Sequence, residues 1–271
     1  MFPDLIRIGN FHIATYGVMA ALGMILGLTV VFHLARKQGL DPDKMWNLGV
    51  LVVFAGIVGS KLLYIINEWG DMYHSLGDVF TLSTMQAGGV FSGGLLLAII
   101  VAIWYLRSNK IAFLPAADVF APGIAIGHAL GRVGCFAAGC CYGRPTSEPW
   151  GVIFTNPKAN EITGTPLGVR IHPTQLYEMV AELINFAILY YLATRKKFEG
   201  EVIGLYLFLY GIERFVIEFF RGDGGRGTMF GGALSTTQVI SICMVLAGGI
   251  LWMRRIPLQT TPRLATGNKV G

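Results

Sequence analysis

The chain has 271 residues, of which 54% are apolar and only 14% charged, against about 25% charged in an average soluble domain. Glycine fills 36 positions, but no G-X-Y period accompanies it and aromatic residues are plentiful, so collagen and disorder are both excluded. The net charge of +5 is not gathered into a basic stripe with interleaved aromatics and gives no basis for nucleic-acid binding. What remains is an all-α polytopic membrane protein.

The opening run MFPDLIRIGN lacks a basic n-region and a small-residue cleavage site, so no removable signal peptide is expected there. Apolar stretches long enough to cross a bilayer, about 17 to 25 residues, then follow at roughly 16–35, 46–66, 88–106, 117–138, 175–193, 201–220 and 235–253. The fourth carries Pro122, His128 and Arg132 and is rich in glycine. It reads as a span, because neighbouring helices can satisfy freed backbone groups, with a re-entrant segment as the alternative. About seven spans are expected.

Charge sets the orientation. Arg36, Lys37 and Lys44 follow the first span, Arg107 and Lys110 the third, and Arg195, Lys196 and Lys197 the fifth. Arg254, Arg255, Arg263 and Lys269 follow the last. These regions hold more than half of the 21 basic residues, whereas the loop 67–87 has only the acids Glu68, Asp71 and Asp78. By the positive-inside rule the N-terminus is periplasmic and the C-terminus cytoplasmic. Residues 1–256 are read as one transmembrane domain. Within it the longest external loop, about 139–174, forms a small irregular periplasmic region with a strand-like run at Trp150–Thr155. Residues 257–271 are read as a disordered tail.

Three of the four cysteines are bunched at Cys135, Cys140 and Cys141. No C-x-x-C and no histidine at zinc-finger spacing accompany them, so a structural zinc site is not expected. Adjacent Cys140 and Cys141 seldom bridge one another. Cys243 reads as a small buried hydrophobe.

Ionisable groups at mid-helix cost about 2.5 to 3.5 kcal/mol each on insertion scales and mark function by default. On the orientation above they share one level, the outer leaflet: Lys61 and Tyr64; His128 and Arg132; Gln175, Tyr177, Glu178 and Glu182; Tyr210, Glu213, Arg214, Glu218 and Arg221; and, at the outer ends, Tyr16 and Gln238. Tyr210, Arg214 and Glu218 recur at four-residue spacing and form one stripe. A single pair such as Arg214 and Glu218 is equally well an intrahelical salt bridge. Several cations at one depth point instead to an anionic lipid headgroup, because arginine pairs bidentately with phosphate. Gly123, Gly127 and Gly131 follow the small-xxx-small pattern and are read as packing residues.

Several blocks together resemble the prolipoprotein diacylglyceryl transferase family. They are Gly131-Arg132-Val133-Gly134-Cys135-Phe136 with Gly139 and Gly143, His172-Pro173-Thr174-Gln175-Leu176-Tyr177-Glu178, and Tyr210-Gly211 followed by Arg214 and Glu218-Phe219-Phe220-Arg221. Tyr16-Gly17, Lys61 with Tyr64, Phe91-Ser92-Gly93-Gly94-Leu95, and Gln238 match further blocks in order. The resemblance implies a multi-pass enzyme of the bacterial inner membrane, with its active site toward the outer leaflet and periplasm. It would move the diacylglyceryl group of phosphatidylglycerol to the lipobox cysteine of a prolipoprotein, forming a thioether and releasing glycerol phosphate. Phosphatidylglycerol, the prolipoprotein signal-peptide and lipobox region, and membrane lipids are the implied partners. No metal or organic cofactor is implied.

Carried over residue by residue, Arg214, Glu218, Tyr210 and Ser92 fall at the reacting centre and Arg132 on the headgroup phosphate. Tyr16, Lys61, Tyr64, Cys135, Gly143, His172, Gln175, Tyr177, Glu178, Arg221 and Gln238 complete the substrate-binding set. The chain departs from the pattern in three places. Ser92 stands where many relatives have His or Tyr, Cys135 where Asn is usual, and Ala138-Gly139-Cys140 where Asn-Gly-Glu is common. Ser92 is a poor base on its own. A divergent paralogue with altered or lost chemistry, or an anion transporter, is the competing reading.

Overall fold

The computed structural model describes residues 2–8, 11–69, 89–223 and 227–258. The acidic loop around Asp71 and Asp78, and the tail beyond Leu258, lie outside the described residues. The chain divides into two compact units, Met1–Leu40 with Ala117–Gly271, and Asp41–Ala116.

The second unit holds α2 (Pro42–Asn67) and α3 (Phe91–Ser108). Asp41 caps α2, its carboxylate accepting from Asp43 N at 3.0 Å and Lys44 N at 3.1 Å, with Pro42 in the first turn where its missing N–H is harmless. The two helices touch backbone to backbone. A Cβ on Gly59 would lie 2.5 Å from the Gly93 carbonyl oxygen, and one on Gly94 2.6 Å from that of Gly56. Only glycine permits that approach.

The first unit opens on an antiparallel hairpin, β1 (Asp4–Ile8) and β2 (Phe11–Ala14), which runs straight into α1 (Thr15–Lys37). It continues with α4 (Phe113–Ala138), which begins in the neighbouring unit, then β3 (Val152–Ile153), α5 (Pro157–Thr163), β4 (Arg170–Ile171), α6 (Thr174–Ala193), α7 (Glu201–Ile217) and α8 (Thr236–Arg254). Short strands β5 (Thr228–Met229) and β6 (Leu234–Ser235) precede α8. Gly27 and Gly23 of α1 meet Gly123 and Gly127 of α4 as the small-residue spacing predicts, while Gly131 faces open space.

Among the described residues six helices, α1, α2, α3, α4, α6 and α8, are long and apolar enough to span a bilayer. The expected span at 201–220 is an α-helix of 17 residues, about 26 Å, continued by a 3₁₀ turn over Glu218–Phe220 that adds about 6 Å. The stretch read with a re-entrant alternative is one continuous helix through Pro122. It is also the most enclosed of the six. That enclosure explains its composition: surrounding protein, not lipid, receives its polar side chains.

Two features sharpen the sequence reading. The loop 139–174 is not merely irregular, because β3 pairs with β4 and α5 lies between them. Asn156 caps α5, accepting from Lys158 N at 3.0 Å, Pro157 opens it, and Gly164 ends it in the left-handed conformation. Phe154, Ala159, Thr165 and Ile171 are fully buried beneath. The second feature is Asp118 of α4, wholly buried. Its carboxylate accepts from Gly200 N at 2.9 Å, Val202 N at 3.1 Å and Ile203 N at 3.0 Å, and from Lys196 Nζ at 3.2 Å. The start of α7, which lacks a capping side chain of its own, is thus capped by another helix.

Candidate active site

Three helices of the first unit bring polar side chains together. α6 contributes Gln175, Glu178, Glu182 and Asn185, spaced three and four apart and all buried. α4 contributes His128, Arg132 and Cys135 at the same spacing. α7 and its 3₁₀ extension contribute Tyr206, Tyr210, Glu213, Arg214 and Glu218.

Glu178 is the hub. Fully enclosed, it places Oε2 2.6 Å from Arg132 Nη2 and accepts at Oε1 from Arg221 Nη1 at 3.1 Å. Arg214 Nη1 stands 4.0 Å from the same Oε1. Arg214 Nη2 donates to Glu218 Oε2 at 3.0 Å, so the intrahelical pair exists, but as one edge of a wider network. Arg221 also grips Asp223, donating from Nε at 2.9 Å and Nη2 at 2.6 Å. Burial works against the Arg221 charge, yet the Asp223 carboxylate it grips holds the guanidinium above its ordinary value.

A second chain of contacts starts at Arg132. Its Nε donates to His128 Nε2 at 3.0 Å, and His128 Nδ1 lies 2.6 Å from Glu182 Oε1. The imidazole therefore accepts on one nitrogen and donates on the other, which fixes its tautomer. Tyr206 Oη donates to the same Glu182 oxygen at 3.3 Å. Tyr210 stacks on Tyr206 with ring centroids 5.7 Å apart and meets the His128 ring at 5.5 Å. Asn185 Nδ2 donates to Glu213 Oε2 at 2.9 Å.

The cations are thus not bare, as several cations facing a cavity would suggest. Each guanidinium already has a carboxylate, because an isolated buried charge is too costly to keep. Arg214 Nη1 is the exception in detail: it is buried and has no hydrogen-bond acceptor. A cavity of about 460 Å³ adjoins this cluster, with Arg144, Glu218, Arg221, Asp223 and Gln238 in its wall.

The remaining expected residues divide. Cys135 sits one turn beyond Arg132, and Tyr16 lies in the first turn of α1 against Gly134, where an added Cβ would fall 3.1 Å from the Tyr16 Cα. Gln238 lines the cavity, yet its side-chain oxygen accepts from Ser235 N at 3.0 Å in a capping box. Gln175 turns away to hold the Cys140 carbonyl at 2.7 Å. His172 and Tyr177 form a separate aromatic group: His172 Nδ1 lies 3.1 Å from Tyr177 Oη, which accepts from Trp150 Nε1 at 2.9 Å. Gly143 is a close-approach residue, since a Cβ there would meet the His172 carbonyl oxygen at 2.5 Å. Lys61, Tyr64 and Ser92 belong to the second unit, where Lys61 Nζ lies 5.9 Å from the Tyr64 ring and Ser92 is exposed in the first turn of α3.

Sequence reading missed Asn185, Tyr206 and Asp223 in this network. Asn185 continues the polar face that begins at Gln175, so the helical period could have found it. Asp223, two residues beyond Arg221 and outside any helix, leaves no such signal.

The chain is 34% identical over 249 residues to the phosphatidylglycerol–prolipoprotein diacylglyceryl transferase of Clostridium tetani, covering 92% of this chain and 95% of that one. The identically named protein of Finegoldia magna is 34% identical over 247 residues, 90% of this chain and 92% of its own. That of Geobacter sulfurreducens is 34% identical over 254 residues, 91% and 92% of the two chains. The family model for prolipoprotein diacylglyceryl transferase matches residues 3–254. With Arg132, Glu178, Arg214 and Glu218 gathered inside that matched span, the chain belongs to the prolipoprotein diacylglyceryl transferase family.

Proposed function

We propose that this protein transfers the diacylglyceryl group of phosphatidylglycerol to the lipobox cysteine thiol of a prolipoprotein. The thiol sulfur attacks the glycerol carbon that bears the phosphate. The S–C bond forms as the C–O bond breaks, the electron pair leaves with glycerol phosphate, and the thiol proton passes to that departing phosphate. On this reading the bacterial inner membrane is its location and the outer leaflet the source of lipid.

Arg214 is the observation that carries the reading. One arm of its guanidinium is held by Glu218, and the other is a buried donor without an acceptor beside two further guanidiniums. A phosphodiester oxygen meets that need, and the negative charge gained on departure is stabilised by donors already in place. Arg132, oriented by His128 and Glu178, serves the headgroup phosphate. Tyr210 lines the reacting centre.

Ser92 in place of an imidazole favours a second reading, a paralogue with altered chemistry. Complementation of a strain lacking the transferase decides between them. Restored lipidation of a reporter prolipoprotein supports the transferase. Failure by a chain that is correctly inserted supports the paralogue.

A further inference from the structure

Three thiols converge beside the guanidinium cluster. α4 delivers Cys135 from its last turn, and the chain then folds back at Gly139 and Cys141, whose φ angles are 88° and 62°. The head of α6 holds this turn from the other side. Gln175 Nε2 donates to the Cys140 carbonyl at 2.7 Å and Thr174 Oγ1 to that of Cys141 at 2.8 Å. As a result the three sulfur atoms all lie within 4.8 Å of one another. Cys135 is buried, Cys140 and Cys141 are half-buried, and all three are free thiols. Linear spacing hides this arrangement, because C-x₄-C-C matches no common zinc pattern.

A disulfide would use only two of the three sulfurs, and Cys140 and Cys141 as neighbours are poorly placed to join each other.

We propose that Cys135, Cys140 and Cys141 form a three-thiolate site for one thiophilic d¹⁰ metal ion, Zn²⁺ or Cu⁺. A zinc–sulfur distance of about 2.3 Å in tetrahedral geometry sets the sulfurs about 3.8 Å apart. Closing from the observed separations needs a shift of about 1 Å, within reach of small side-chain rotations at Cys140 and Cys141. Binding releases the thiol protons and leaves a net negative site. Three protein ligands leave zinc a fourth position open to a small ligand. The ion would pin the end of α4 to the head of α6.

Reduced, detergent-purified full-length protein tests this by titration with Zn²⁺ against a chromophoric chelator, and separately with Cu⁺. One equivalent of at least one ion should bind, and at least tenfold more weakly in Cys140→Ser and Cys141→Ser. The tighter of the two identifies the metal. N-ethylmaleimide labelling of the unmutated protein, read by mass spectrometry, guards against misfolded variants. Saturating ion should slow modification of Cys140 and Cys141 at least tenfold and leave exposed Cys243 on α8 unchanged. Absence of stoichiometric binding by both ions, binding that survives both substitutions, or unprotected Cys140 and Cys141 overturns the site.

Discussion

Two buried carboxylates on this scaffold, Asp118 and Glu178, are surrounded by different kinds of donor. Asp118 takes three backbone N–H groups and one ammonium, donors that secondary structure holds in place. Glu178 takes guanidiniums from α4, α7 and the segment after α7, side chains that can turn toward another acceptor. One arm of Arg214 still lacks one. Burial of an acid is therefore not what marks the candidate active site. A carboxylate satisfied by backbone is a joint; on the proposed function, one satisfied by side-chain cations keeps charges that a substrate can borrow.

The comparison breaks most visibly at Arg132. Arg132→Ala should lower lipid transfer by about 10²-fold or more, the scale of losing one preorganised donor to developing charge, while the protein stays folded and inserted because Glu178 keeps Arg221 as a partner. Arg132→Lys should also be damaging, because a point charge cannot replace a planar fork. Near-normal transfer by the alanine variant would remove Arg132 from the site.

At the other carboxylate the loss should fall on stability. Asp118→Ala strips the cap from α7 and leaves Lys196 with Glu199 alone, 2.7 Å away. A cost of about 3 kcal/mol is expected for breaking a buried pair, read by denaturant titration in detergent. Transfer per folded molecule should persist. A variant that is stable but inactive would erase the distinction drawn here.

Arg214 and Glu218 should behave as a unit. Either substitution should impair transfer nearly as much as both together, with a coupling of roughly 0.5 to 3 kcal/mol in a double-mutant cycle. Simple additivity would assign them separate roles. The smallest effect is expected at Asn156→Ala, which removes the α5 cap for about 1 kcal/mol and should leave transfer intact. Orientation is checked separately: reporters after Lys197 or Arg255 should be cytoplasmic and one near Thr163 periplasmic.

Much of this was legible in one dimension. Hydropathy set the helices to within a few residues, because a bilayer-length apolar run has few other fates in water. Glycines at four-residue spacing marked α4 as a close-packing helix at Gly123 and Gly127, although only the fold shows α1 as the partner. The helical period put Tyr210, Arg214 and Glu218 on one stripe, and the family blocks pointed to Arg132 and Glu178. Even the α5 helix was written in Asn156, Pro157 and Gly164, although the loop as a whole read as irregular.

What the sequence determined by itself was thus local: which segments are helices, which faces are polar, and which family the blocks resemble. Partners across the chain were decided only by tertiary structure. Asp118 reaches the start of α7 more than 80 residues later, one glutamate gathers three arginines, and a turn through Gly139 and Cys141 assembles the thiols of Cys135, Cys140 and Cys141. Periodicity reports the direction of a side chain around its own helix axis and nothing beyond it. Which opposite charge stands there depends on how the helices pack, and a buried ion must find that partner or not be buried at all.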